Sequence, residues 1–300
     1  MYYIRHKTHL TMPNTAFIAG LTYPADPSGS IPLPGMAVAS DTVASLAAST
    51  GLYTDGITHI TDQDEPVTRE VLLRGLMDAC ANAQPGDNIF LGLFGHGIQV
   101  SDATGREEDG MHELFCTSDG QAVLDNEIQA ILSELPAGVN VTMCLDCCNS
   151  GTLADLDLGG IDANVVSISS AVDGQSALVQ RDGSGTYFVR EFERVMEENP
   201  ELSWVEAVEL MNERLPKQWG DMTINLHSND AELLQQPMFT VASKATEPDN
   251  TPVVDDVDDG DEQVNAQEDG PADLATLGIR VAAAERQQQD EQPEWEPIGF

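Results

Sequence analysis

Apolar residues recur along the chain in two rhythms: short unbroken runs, and longer stretches spaced by three and four. The runs at 16–21, 88–94 (NIFLGLF), 139–145 and 165–169 are apolar almost throughout. A strand covered on both faces has this pattern because neither side meets water. Residues 57–60 form a weaker run of the same kind. Between these lie stretches of helical period: an Ala-rich segment at 36–49, and others at 124–135, 188–198 and 204–215. A further helix starts near Thr68, a candidate N-cap, carries Val71, Leu72, Leu73, Leu76, Met77 and Ala79, and stops before Pro85-Gly86. A Pro/Gly/Ser-rich loop fills the chain up to Pro34, and residues 237–242 read as a last extended piece. Strands separated by helices predict an α/β fold with a parallel sheet covered on both faces. The chain has no internal repeat.

Charge changes this picture at one end. The 300 residues carry 51 acidic and 13 basic side chains, a net charge of −38. Nucleic acid and anionic membrane are excluded as direct partners, since either would be approached against repulsion. The 41% of hydrophobic residues is enough for a core. Residues 245–300 hold 16 acids and 2 arginines, a net of −14, which leaves −24 on the first 244 residues. The run EPDNTPVVDDVDDGDEQVNAQEDGPAD has almost no large apolar side chain and cannot offset the entropy of ordering. The expected organisation is an extension at 1–13, one domain at 14–244 and an acidic, mostly disordered tail at 245–300.

The longest apolar run, 89–94 with a glycine inside it, is too short to cross a bilayer, and MYYIRHKTHL lacks the apolar stretch of a signal peptide. A cytoplasmic monomer is the expectation. Five cysteines, three of them crowded at Cys144, Cys147 and Cys148, point to reduced thiols rather than a disulfide framework. Cys144 and Cys147 make a lone C-x-x-C, but one member lies inside an apolar run and no second pair exists to complete a zinc site.

In parallel sheets chemistry gathers beyond the carboxyl ends of the strands, and two reactive side chains fall there. His96, between Gly95 and Gly97, follows NIFLGLF; Cys148, before Asn149-Ser150-Gly151, follows VNVTMCL. A thiol and an imidazole on neighbouring loops suffice for acyl transfer, with the thiolate attacking a carbonyl and histidine handling the proton. Their separation of 52 residues is close to that of caspases.

FLGLFGHGIQV followed by VTMCLDCCNSGT resembles the two catalytic motifs of metacaspases, a branch of the caspase-like cysteine peptidases. The likeness continues in order through REEDGMHELFCTSD, LDNEI, SISSAVDGQSA and QQPMF, and spans about residues 14–240. It implies a caspase-like α/β fold with a mainly parallel six-stranded sheet flanked by helices. The implied activity is hydrolysis of peptide or protein substrates by a Cys-His dyad, after Arg or Lys, with calcium assistance.

By the resemblance, Cys148 is the nucleophile, His96 the acid/base, and the amides of Gly97 and Cys148 the oxyanion hole. Asp146 matches the carboxylate that pairs with a basic substrate side chain. The sequence departs from the family around that pocket: Phe94 stands where a serine is usual, Met36 where a cysteine is usual, and Ala39 at a second acidic position that Asp41 reaches only after a shift of two residues. Asp125, Asn126 and Asp155 match calcium-binding positions, with Asp109 as a fourth; oxygen donors suit Ca²⁺, and solvated surface groups are the alternative. Arg106 and Arg181, in glycine-rich segments, are the expected self-processing sites. Two other readings stand beside the enzyme: a non-catalytic interaction module, and a thiol redox sensor using Cys147 and Cys148.

Overall fold

Strand β1 (Thr15–Gly20) sits inside a six-stranded sheet ordered β2-β1-β3-β7-β8-β9. Its partners in chain order are β2 (Gly56–Thr61), β3 (Asn88–Phe94), β7 (Asn140–Asp146), β8 (Asn164–Ser169) and β9 (Asn225–Ser228). The first five pair in parallel; only β9 runs antiparallel, against β8. A second sheet, antiparallel and three-stranded, joins β4 (Gly97–Ser101), β5 (Met111–Cys116) and β6 (Ala122–Leu124). The computed structural model describes residues 14–24, 31–101, 111–148, 158–171, 177–180, 182–215 and 222–239.

Five helices occur among the described residues: α1 (Gly35–Ser49), α2 (Arg69–Cys80), α3 (Asp125–Leu132), α4 (Tyr187–Glu198) and α5 (Trp204–Arg214). Alternation along each strand sorts them onto two faces. Ala16, Ile18, Phe90 and Phe94 point to the face that packs with Met36, Val43 and Ala47 of α1, Phe188 and Phe192 of α4 and Met211 of α5. Phe17 points the other way, against Gly75 of α2, where an added Cβ would collide with its ring. Leu72, Leu73 and Leu76 bury that side of α2, and a partly buried Arg69–Glu127 ion pair ties α2 to α3.

Local chemistry fixes the helix starts. The Thr68 hydroxyl accepts from the Val71 amide, as predicted, and Thr186 does the same for Val189 at 3.1 Å. Ser203 and Glu206 cap α5 reciprocally. At the amino ends of the strands, Asn88 donates to Asn14 and Asn164 to Asn140, both at 2.9 Å, pinning the register away from the site.

The predicted α/β class and six-stranded, mainly parallel sheet are present, with one strand reassigned. The sixth strand of the sheet is Asn225–Ser228, half-buried at the sheet edge; of the extended piece expected at 237–242, residues 237–239 are not strand and 240–242 lie outside the described residues. Pro237 makes an isolated bridge to Ser203, and Met238 and Phe239 pack into the core, the latter against Trp204, Phe90 and Phe192. The extension at 1–13 and the acidic tail lie outside the described residues.

Candidate active site

The strand order reverses between β1 and β3: the chain leaves β1 toward β2 on one side and returns through α2 to β3 on the other. Such a switch point opens a crevice at the carboxyl ends of the strands. The Leu21 amide bonds to the Phe94 carbonyl at 2.9 Å, so the loops after β1 and β3 leave the sheet side by side. The turn after β7 meets them from the next strand. Gly95 N–H donates to the Asp146 carbonyl at 3.1 Å, and Gly97 packs on the Cys148 carbonyl so closely that any Cβ there would collide with it. His96 is therefore held in a turn whose two glycines both touch the strand end that carries Cys148.

His96 is gripped on three sides. Its amide donates to the Tyr23 hydroxyl at 2.8 Å, and its ring lies 4.7 Å from the Tyr23 ring. Its carbonyl accepts from Cys116 N–H at 2.9 Å. Its Nε2 lies 2.7 Å from the Ile31 carbonyl. A carbonyl only accepts, so Nε2 carries a proton, and Nδ1 is the nitrogen left to exchange one.

Cys148 is half-buried, whereas Cys147 beside it is buried, with its Sγ against Gly97. Burial, with Cys148, Asp146 and Cys116 nearby, pushes the Cys147 thiol well above its ordinary range. Cys144 is shifted the same way by burial and by Asp146. Thiols held protonated are poor nucleophiles and poor redox sensors, which leaves Cys148 as the accessible thiol of the three.

Asp146 ends β7 in register with Phe94 and is fully buried. Thr186 donates to its Oδ2 at 2.6 Å, while Oδ1 makes no hydrogen bond. Burial raises its pKa to about 6, and the hydroxyls of Thr186 and Ser170 moderate the rise. Ser170, also buried, lies near enough for that influence without closing a hydrogen bond of its own. No basic side chain among the described residues pairs with Asp146.

The other residues expected at the pocket are either buried in the core or turned to the surface. Phe94 and Met36, 0% and 1% exposed, are core side chains that close the sheet face rather than line an open cleft. Their bulk fills space that the smaller serine and cysteine of the family would leave free. Asp41 is 70% exposed and pairs with His59 of β2 at 3.4 Å. Two residues along a helix is about 200° of rotation, so Ala39 faces α4 and Asp41 turns to the opposite flank. Ala39 lines a cavity of about 150 Å³ with Thr42, Thr186 and Val189. Asp41 does not stand in for the missing second acid.

Of the four expected calcium residues, Asp109 and Asp155 lie outside the described residues, as do Arg106 and Arg181. Asp125 is buried at the start of α3 and accepts from the Asn126 amide at 2.7 Å; the Asn126 side chain lies 3.5 Å from His112. Among the described residues no group of three or more His, Cys, Asp or Glu is placed to hold a metal ion.

Sequence reasoning missed Tyr23, Ile31, Thr186 and Ser170. Tyr23 had a signal, a large hydroxylated aromatic directly after a buried strand. Ile31 had none, because its contribution is a backbone carbonyl.

Residues 16–157 match the family described as metacaspase, peptidase C14 domain. Over these residues, a little under half of its length, the chain is similar to a metacaspase peptidase C14 domain. The metacaspase-1 of Saccharomyces cerevisiae is 35% identical over 114 residues, 35% of this chain and 26% of that protein. The metacaspase-1 of Kluyveromyces lactis is 37% identical over 102 residues, covering 32% and 24%. Metacaspase-1A of Neurospora crassa is 38% identical over 93 residues, covering 30% and 20%. The chain thus spans about a quarter of the length of these relatives. A crystal structure of a Geobacter sulfurreducens protein superposes with a TM-score of 0.61 at 24% identity, over 76% of this chain and 99% of that one. This chain therefore shares the fold of that protein. No helix among its described residues is long and apolar enough to cross a membrane.

Proposed function

We propose that the chain is a cysteine endopeptidase in which Cys148 and His96 form the catalytic dyad. The observation that carries this reading is the contact between the two turns: Gly95 bonded to Asp146 and Gly97 packed on Cys148. The similarity to a metacaspase peptidase domain supports it. The Cys148 thiol gives its proton to Nδ1 of His96, and the thiolate attacks the substrate carbonyl. The resulting oxyanion is stabilised by the amides of Gly97 and Cys148, a contribution of about 3 kcal/mol per donor in comparable enzymes. His96 then protonates the leaving amine, and water, deprotonated by His96, releases the acyl group from sulfur.

The proposal extends to cleavage after Arg or Lys. Its support is Asp146, a carboxylate with one unbonded oxygen and no basic partner among the described residues. An ion left in this state favours an incoming cation over any neutral group. The carboxylate is fully buried beside its register partner Phe94, so a substrate side chain reaches it only where the neighbouring side chains give way. For calcium, Asp125 and Asn126 offer the oxygen donors Ca²⁺ takes, and with Asp109 and Asp155 they are the residues that would hold it. Bound there, the ion would neutralise acidic loops. A positional-scanning peptide library, run with Ca²⁺ and with chelator, tests the reading. Cleavage after Arg or Lys, stronger with calcium, is expected; cleavage after Asp instead would remove the specificity, and indifference to both additions would remove the metal.

A further inference from the structure

We infer that Tyr23 is a positioning residue that sets the histidine of the dyad, acting through a closed ring of three hydrogen bonds. The inference rests on the peptidase reading for its kinetic consequence only. His96 N–H donates to the Tyr23 hydroxyl at 2.8 Å, the hydroxyl donates to the Cys116 carbonyl at 2.8 Å, and Cys116 N–H returns to the His96 carbonyl at 2.9 Å. Each member both donates and accepts, so the peptide of His96 is fixed on both its polar groups. The hydroxyl is the only side-chain group in the ring; the other donors and acceptors are main chain.

The aromatic part of Tyr23 does a second job. Its ring, tilted 42° to the imidazole, lies beneath it at 4.7 Å and limits rotation about the His96 side chain. With Nε2 on the Ile31 carbonyl, the imidazole is fixed at its face and at one nitrogen, and Nδ1 has one direction to face.

The molecule maintains this placement against local cost. Tyr23 is 1% exposed and adopts φ +54°, a left-handed conformation that a bulky side chain avoids. Asp62, buried after β2, holds it there: its Oδ2 accepts from Tyr23 N–H at 2.8 Å, and its Oδ1 accepts from both the amide and hydroxyl of Thr22 at 2.7 Å. Gly95 leaves space for the hydroxyl, since a Cβ there would press on it. A merely space-filling tyrosine would need neither the carboxylate clamp nor the glycine. A left-handed backbone, a buried carboxylate and a bare glycine all converge on one hydroxyl, which accepts directly from the His96 amide.

The test compares Tyr23→Phe, which removes the hydroxyl and keeps the ring, with Tyr53→Phe. Tyr53 is a buried tyrosine remote from the dyad, packed edge-on against Phe90 and with Thr142 near its hydroxyl. Two readouts are taken: kcat and KM on a cleaved peptide, and the rate at which iodoacetamide alkylates Cys148, followed by peptide mass spectrometry with His96→Ala as reference. The expected result is a kcat lower by about 10- to 100-fold for Tyr23→Phe with KM within about twofold. Its Cys148 alkylation should fall toward the His96→Ala rate, while Tyr53→Phe leaves both readouts unchanged. Tyr23→Phe with wild-type kcat and wild-type alkylation would overturn the inference, as would an equal loss in Tyr53→Phe. If the wild type cleaves no peptide but alkylation still falls in Tyr23→Phe, the peptidase reading fails and the positioning role stands.

Discussion

Gly97 and Cys148 are in contact through backbone alone: the Cα of the first sits where only hydrogen fits beneath the carbonyl of the second. The contact joins two strand ends that the sheet already places side by side, because β3 and β7 are registered neighbours from Asn88–Asn140 to Phe94–Asp146. The register delivers the turns, and the glycines let them close.

Gly97→Ala should therefore disturb both stability and activity. Inserting a methyl group against a fixed carbonyl forces the turns apart at about 1–3 kcal/mol, and peptide cleavage should fall more than tenfold. Gly160→Ala is the control, because a Cβ there meets nothing within 4 Å. Urea denaturation beside initial rates checks both; equal behaviour of the two variants would show that the close approach is unimportant.

Asp146→Asn should melt at a higher temperature than the wild type at neutral pH. The folded-state pKa of Asp146 is raised to about 6 by burial, against about 3.9 for a free aspartate. The folded state thus binds its proton more tightly than the unfolded chain, and wild-type stability declines as pH rises between these values, then levels off. Removing the charge should recover about 1–3 kcal/mol above pH 6 and nothing below about pH 4. The same substitution should weaken cleavage after Arg or Lys. Thermal melts from pH 4 to 8 are the check, and an unchanged difference across that range would contradict the assigned burial of charge.

Thr186→Val should destabilise the domain by about 1–3 kcal/mol. The hydroxyl accepts from Val189 N–H at the start of α4 and donates to Asp146. Its loss uncaps the helix and removes the bond that favours the ionised carboxylate, so the Asp146 pKa should rise further. Thr186→Ser should restore most of both effects in denaturation curves, whereas equal losses for Val and Ser would point to packing of the methyl group instead.

The sequence made some elements plain and hid others for identifiable reasons. NIFLGLF and VNVTMCL are apolar because β3 and β7 are covered on both faces, and that continuity revealed the sheet and the loops bearing His96 and Cys148. Strand β9, NLHS, is half-buried at every position and carries no such signal. The short strand GIQVS of β4 is mixed for the same reason. Met238 and Phe239 looked like strand because they are apolar, but they are core plugs on an irregular segment. Tyr23 and Ile31 reach His96 by tertiary contact, one with a hydroxyl and one with a carbonyl, and no spacing rule exposes such a partner. Ala39 and Asp41 stand two positions apart on α1 and so face opposite flanks, a difference that matching along the chain does not register.

The central claim is that Cys148 and His96 act as one unit in breaking a peptide bond. Initial rates on a fluorogenic peptide ending in Arg, measured for wild type, Cys148→Ala, His96→Ala and the double variant, test it most directly. Each single substitution should lower the rate by about 10³-fold or more, with the double variant no slower than either, as expected for groups that work together. Cleavage by Cys148→Ala at the wild-type rate would contradict the account.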